Sequence, residues 1–133
     1  MDRHAGRRAT LSLGVVISHF GGVLLVQRDA AWHLPRVVQG WGESMPAAIE
    51  RGVYEQTAIR VKAGDIIQAY DQISPDTDEH IICMDFEASY VSGDLSAGDQ
   101  LADVAWASGM ALRSMQVEEN TKELLTEMGI LKA

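Results

Sequence analysis

The chain has 133 residues, 47% of them hydrophobic and 23% charged, with a formal net charge of -8. That length suits one domain with one core, and the apolar fraction excludes a disordered chain. The acidic balance excludes a general DNA or RNA binder, which needs a basic face. No apolar run approaches the roughly 18 residues of a membrane helix.

The charge is uneven. Residues 1–62 hold eight Lys/Arg and five Asp/Glu, and residues 63–112 hold ten acids with no Lys or Arg. This is either a solvated acidic surface or a cation-binding side facing a basic, anion-binding one. Residues 1–10 carry three arginines and no apolar signal core, so they read as a flexible basic arm, with 11–133 as a single domain. Cys83 is the only cysteine, which excludes an internal disulfide and fits a reducing, cytoplasmic setting.

In chain order, 11–18 and 22–27 are short β-branched runs joined by Phe20-Gly21-Gly22, a hairpin signal. Residues 29–42 read as an ordered loop with one short strand. Ser44 to Ala58 reads as a helix with Ser44 as N-cap and Pro46 in the first turn. Met45, Ala48, Ile49, Gly52 and Val53 recur at helical spacing and should face the core, although Gly52 costs about 1 kcal/mol there relative to Ala. Strands are expected over 61–73, with a bend at Ala63-Gly64, and over 80–90, joined by a turn at 74–78. A loop over 92–100, a strand over 104–107 and a helix over 117–128 closed by Gly129 complete the chain. Strands on both sides of a central helix predict an α/β fold with a mixed sheet between helices.

Residues 22–28 (Gly-Val-Leu-Leu-Val-Gln-Arg), Trp32-His33-Leu34-Pro35, Gly42-Glu43-Ser44 and 51–59 (Arg-Gly-Val-Tyr-Glu-Gln-Thr-Ala-Ile) resemble the Nudix hydrolase family (MutT-like). Its signature is G-x5-E-x7-R-E-U-x-E-E-x-G-U, with U apolar. Glu43, Arg51, Val53, Glu55 and Ile59 keep the pattern, with the spacing from Glu43 to Arg51 intact. Val37 stands for the first glycine, Gly52 and Gln56 for two glutamates, and Ala58 for the closing glycine. The later strand, loop and Asp103-Val104-Ala105-Trp106 resemble the family too, so the likeness covers nearly the whole chain beyond residue 10. It implies the Nudix α/β/α sandwich with a mixed β-sheet.

The resemblance also implies cleavage of nucleoside diphosphate-linked compounds by water, using Mg or Mn held by glutamates of the signature helix. Positions 52, 55 and 56 share about 100° of one helix face. Here they offer one carboxylate, one neutral amide and one empty position, whereas Mg²⁺ wants hard, charged oxygens. The usual metal site is therefore expected to be absent or much weakened. Two classes of function stand: a degenerate member that binds a nucleotide or a partner, or an active hydrolase using Glu55 with a carboxylate from outside the signature. Homodimers also accompany such folds.

Glu55 is the best catalytic and metal candidate, or else an ion pair with Arg51. Glu43 is a supporting ligand, or a charge favoured by the helix N-terminus. Arg28 and Arg36 are candidate phosphate forks; Arg36 equally obstructs the site or points to solvent. Trp32 is a base-stacking candidate or core, and Gln56 a candidate substrate contact. Trp41 is a partner or base-stacking candidate, and Trp106 is expected in the core. Asp76, Asp78 and Glu79 read as a solvated tip. Asp99 and Asp103 are the acids that would replace missing ligands. His33 and His80 lack partners at zinc spacing, and Cys83 reads as inert core.

Overall fold

The computed structural model describes residues 7–131, and residues 1–6 of the expected arm lie outside them. Among the described residues, seven strands and three helices follow in the order β1 (Thr10–His19), β2 (Gly22–Arg28), β3 (Ala31–His33), β4 (Arg36–Val37), α1 (Met45–Thr57), β5 (Arg60–Ser74), β6 (Glu79–Ser92), β7 (Asp103–Ala107), α2 (Gly109–Leu112) and α3 (Glu119–Glu127).

The sheet runs β3-β2-β1-β6-β5, with β4 on β1 and β7 on β2. β1 and β6 are parallel and the other pairs antiparallel, so the sheet is mixed as expected. Its central strands are buried on both faces, which is why they read as continuous apolar runs rather than alternating ones. Leu13, Val15, Ile17 and Leu24 pack towards Ala48, Ile49 and Val53 of α1. Val16, Val23 and Leu25 pack towards Leu112 of α2 and Leu124 and Leu125 of α3. The result is the α/β/α sandwich.

The local signals act where expected. Ser44 caps α1 by accepting from the Ala47 N–H at 3.2 Å, and Ala48, Ile49, Gly52 and Val53 are buried. Phe20 and Gly21 supply the left-handed pair of the first hairpin. The Phe20 ring lies edge-on to Tyr90 and Trp106, with Trp106 half-buried at the margin of the α1-side core. The bend at Ala63-Gly64 is a register shift between Ala63 and Ile66. Three local features differ from expectation. Residues 29–42 hold two short strands, α2 is an additional helix, and α3 starts only at Glu119, because Val117 forms a bridge to Trp32. A two-residue strand and a four-residue helix are too short for periodicity to reveal.

Candidate functional site

Arg51 organises the loop before α1. Its Nε donates to Glu43 Oε2 at 2.8 Å, and its Nη2 donates to Glu43 Oε1 at 3.1 Å and to the Val38 carbonyl at 2.9 Å. Its Nη1 donates to Glu55 Oε2 at 3.2 Å. The Gly40 N–H donates to Glu43 Oε1 at 2.9 Å. The Arg51 hydrogen bond holds the Glu43 carboxyl below its usual pKa, aided by the Gly40 bond, and raises that of Arg51 itself. Glu43 and Glu55 are thus brought together, on one guanidinium.

Position 52 is closed. A Cβ built on Gly52 would run into both methyl groups of Val37 and stand 2.9 Å from the Val37 Cβ. The two residues that depart from the signature here, Val37 and Gly52, therefore fill one another's space. Gln56 points under the same loop: its Nε2 donates to the Arg36 carbonyl at 2.7 Å, while its buried Oε1 accepts no hydrogen bond from the described residues. That neutral oxygen offers free lone pairs without a charged companion. Among the described residues, no three His, Cys, Asp or Glu groups lie close enough to hold a metal ion. A Mg²⁺ or Mn²⁺ centre of the usual family kind does not fit the residues present.

The late loop folds over the end of α1. Ser96 N–H donates to the Thr57 carbonyl at 3.0 Å and Gly98 N–H to the Gln56 carbonyl at 2.8 Å, which sets Asp99 beside the helix C-terminus. Asp103 caps its own strand, accepting from the Val104 N–H at 2.8 Å.

Arg36 reaches the other face of the sheet. Its Nη2 lies 3.0 Å from Asp85 Oδ1 and donates to the Tyr70 hydroxyl at 3.1 Å. Asp85 is 1% exposed, and its Oδ2 accepts from Gln68 Nε2 at 2.8 Å. Gly14 pairs with Arg36 on one side and Asp85 on the other. A side chain at position 14 would collide with Asp85 Oδ1 and stand 3.0 Å from Arg36 Nη1, so the glycine opens the way for the ion pair. Burial pushes the Tyr70 phenol up to about 12 against the opposing pull of Arg36. Nothing in the local sequence around Asp85, an acid within an alternating strand, announced this pair.

Two adjoining clefts lie between this cluster and α3. One, of about 180 Å³, is lined by His33, Arg36, Tyr70, Gln72, Glu118 and Asn120. The other, of about 290 Å³, shares Tyr70 and Asn120 and adds Gln68, Glu123, Leu124 and Glu127. A separate hollow of about 520 Å³ between 7–9 and the β5–β6 turn contains no signature residue. Of the remaining candidates, Arg28 is exposed at the end of β2 and Trp41 is fully exposed. Trp32 is half-buried against the α3-side core, its backbone N–H donating to the Gln116 carbonyl at 2.8 Å. Neither Arg28 nor Trp32 lines the two clefts.

A family model described as NUDIX domain matches residues 8–128. No curated protein matches the chain. Among solved structures, a MutT protein from Methanosarcina mazei Go1 is similar at 21% identity and TM-score 0.77, over 93% of this chain and 95% of that one. A MutT NUDIX hydrolase from Burkholderia pseudomallei is similar at 21% identity and TM-score 0.78, over 90% and 97%. A bifunctional NMN adenylyltransferase/ADP ribose pyrophosphatase from Francisella tularensis is similar at 18% identity and TM-score 0.75, over 92% of this chain and 41% of that one.

Proposed function

The chain belongs to the Nudix family, and on that premise we propose that it is a degenerate member that binds a nucleotide or nucleoside diphosphate derivative without metal-dependent hydrolysis at the signature. The observation that carries this reading is the packing of Val37 against Gly52, which leaves no room for a carboxylate at position 52. Losing a ligand by a point change leaves a gap that another acid or water can fill; here the gap is filled by a buried methyl pair.

The ligand site proposed is the pair of clefts sharing Tyr70 and Asn120. Gln68, Gln72, Asn120 and the Tyr70 hydroxyl supply donors and acceptors suited to a base or ribose edge. Arg36 is the cation there, but Asp85 already offsets its charge, and Glu118, Glu123 and Glu127 line the same walls. The polyphosphate end of a ligand would therefore extend out of the clefts, not into them. The ADP ribose pyrophosphatase named among the neighbours makes ADP-ribose a first ligand to try.

The competing reading is an active pyrophosphohydrolase using Glu55 with Asp99 or Asp103. The exposure of Glu55, whose side chain is 62% exposed beside Arg51, favours it. The absence of any three-ligand acidic group among the described residues weighs against it.

The deciding experiment incubates the protein with ADP-ribose, nucleotide sugars, dinucleoside polyphosphates and nucleoside triphosphates, with and without Mn²⁺. Binding is read by calorimetry and products by chromatography. Saturable binding without products is expected. Mn²⁺-dependent turnover of any of them would favour the active reading, and failure to bind any would remove the nucleotide from the proposal.

A further inference from the structure

Among the described residues the sheet ends at β5, a 15-residue strand that pairs with β6 alone. Its outer side presents backbone donors and acceptors along a strand without proline, the kind of edge that proteins usually cover or charge. Its start is partly closed, since the Ala63 N–H donates to Glu50 Oε2 at 3.0 Å. From Ile66 to Ile73 no other described element pairs with it. Two aliphatic side chains mark that stretch, Ile66 at 47% and Ile73 at 63% exposure.

We propose that the occupant of this edge is a second copy of the chain, paired antiparallel about a two-fold axis at Tyr70. The register follows from the strand's own irregularity. Against β6, Ile66 pairs with Phe86 and Gln68 with Asp85, so Ile67 is skipped. With the same skip, a copy centred on Tyr70 sets Asp71 opposite Ala69, Gln72 opposite Gln68 and Ile73 opposite Ile66. Opposed residues point to the same face of an antiparallel pair. Ile66 shares the face of Phe86, which packs on the α1-side core, and Ile73 lies on that face two residues beyond Asp71, which pairs with Ile82. Each isoleucine thus meets its exposed counterpart, twice, as an isologous interface requires.

Charge excludes one neighbouring register, which would oppose Asp71 to its own copy; two others would set Asp71 against Ile66 or Ile73 and part the isoleucine pairs. Beyond the paired stretch, the acidic turn with Asp76 and Glu79 of one copy runs towards Arg60 and Lys62 of the other, the only Lys or Arg between 52 and 112. Tyr70 lines both clefts, so the pairing sets the clefts of the two copies side by side across the axis. This inference stands independently of whether the signature is active.

Sedimentation velocity of the full chain over a concentration series should show a reversible dimer, and Ile73→Lys should shift it to monomer with an unchanged circular dichroism spectrum. On a Cys83→Ser background, an oxidised equimolar mixture of Ile66→Cys and Ile73→Cys chains should cross-link, and Ile73→Cys alone should not. A monomer at every concentration overturns the proposal, including one whose 66–73 amides exchange slowly because the chain covers its own edge. So does a dimer that Ile73→Lys leaves intact and the mixture fails to cross-link.

Discussion

Val37 occupies the volume that a side chain on Gly52 would need, the β-branched residue of β4 lying flat against the bare turn of α1. Helix α1 and strand β4 approach this closely because one partner has lost its side chain and the other has gained one.

In most helices, Gly→Ala in the interior adds about 1 kcal/mol of stability. At position 52 the added methyl has nowhere to go, and overpacking a core costs about 1–3 kcal/mol. Gly52→Ala should therefore lower the urea midpoint, and Val37→Ala/Gly52→Ala should recover part of the loss. The same logic governs metal binding. Gly52→Glu with Gln56→Glu should leave Mn²⁺ affinity weak in a calorimetric titration. Adding Val37→Gly should raise it, because only then does the new carboxylate have space.

Ala58 closes α1 in the left-handed region, with φ 64°. An L-residue pays about 1 kcal/mol or more for that conformation, and glycine does not. Ala58→Gly, the change towards the family pattern, should raise the melting temperature by about 4 °C.

The Arg36–Asp85 pair predicts two stability effects. Asp85→Ala strands the guanidinium under α3 and should cost about 3 kcal/mol in chemical denaturation. Tyr70 binds its proton more tightly in the folded protein, at a pKa of about 12 against an ordinary 10. Its stabilising contribution is complete below pH 10 and is lost as pH rises from 10 through 12. Unfolding curves of the native protein and Tyr70→Phe should therefore converge across that window.

Arg51 holds Glu43 ionised, so the contribution of this contact is present above the ordinary carboxyl pKa of 4.5 and is lost as pH falls below it. Arg51→Gln should speed amide exchange of residues 38–43 at neutral pH and flatten the acid limb of the stability profile. Unchanged exchange would mean that the loop is held by Val37 packing instead.

The sequence by itself determined those features that arise within a few residues. Ser44 and Pro46 announce α1, Phe20-Gly21 and 74–78 announce the turns, and the apolar runs announce strands buried on both faces. The spacing from Glu43 to Arg51 was enough to indicate the family, and the losses at 52 and 56 were enough to question its metal. Whether those losses were gaps or repairs was not legible, because it depends on which face of β4 meets which turn of α1. The same holds for Arg36, which read as a phosphate fork, an obstruction or a solvent-exposed side chain. The tertiary structure carries it past Gly14 to Asp85, 49 positions away in sequence. Periodicity and turn chemistry act over a turn or two of chain. Side-chain contacts between distant strands depend on sheet register, and only the folded sheet sets that register.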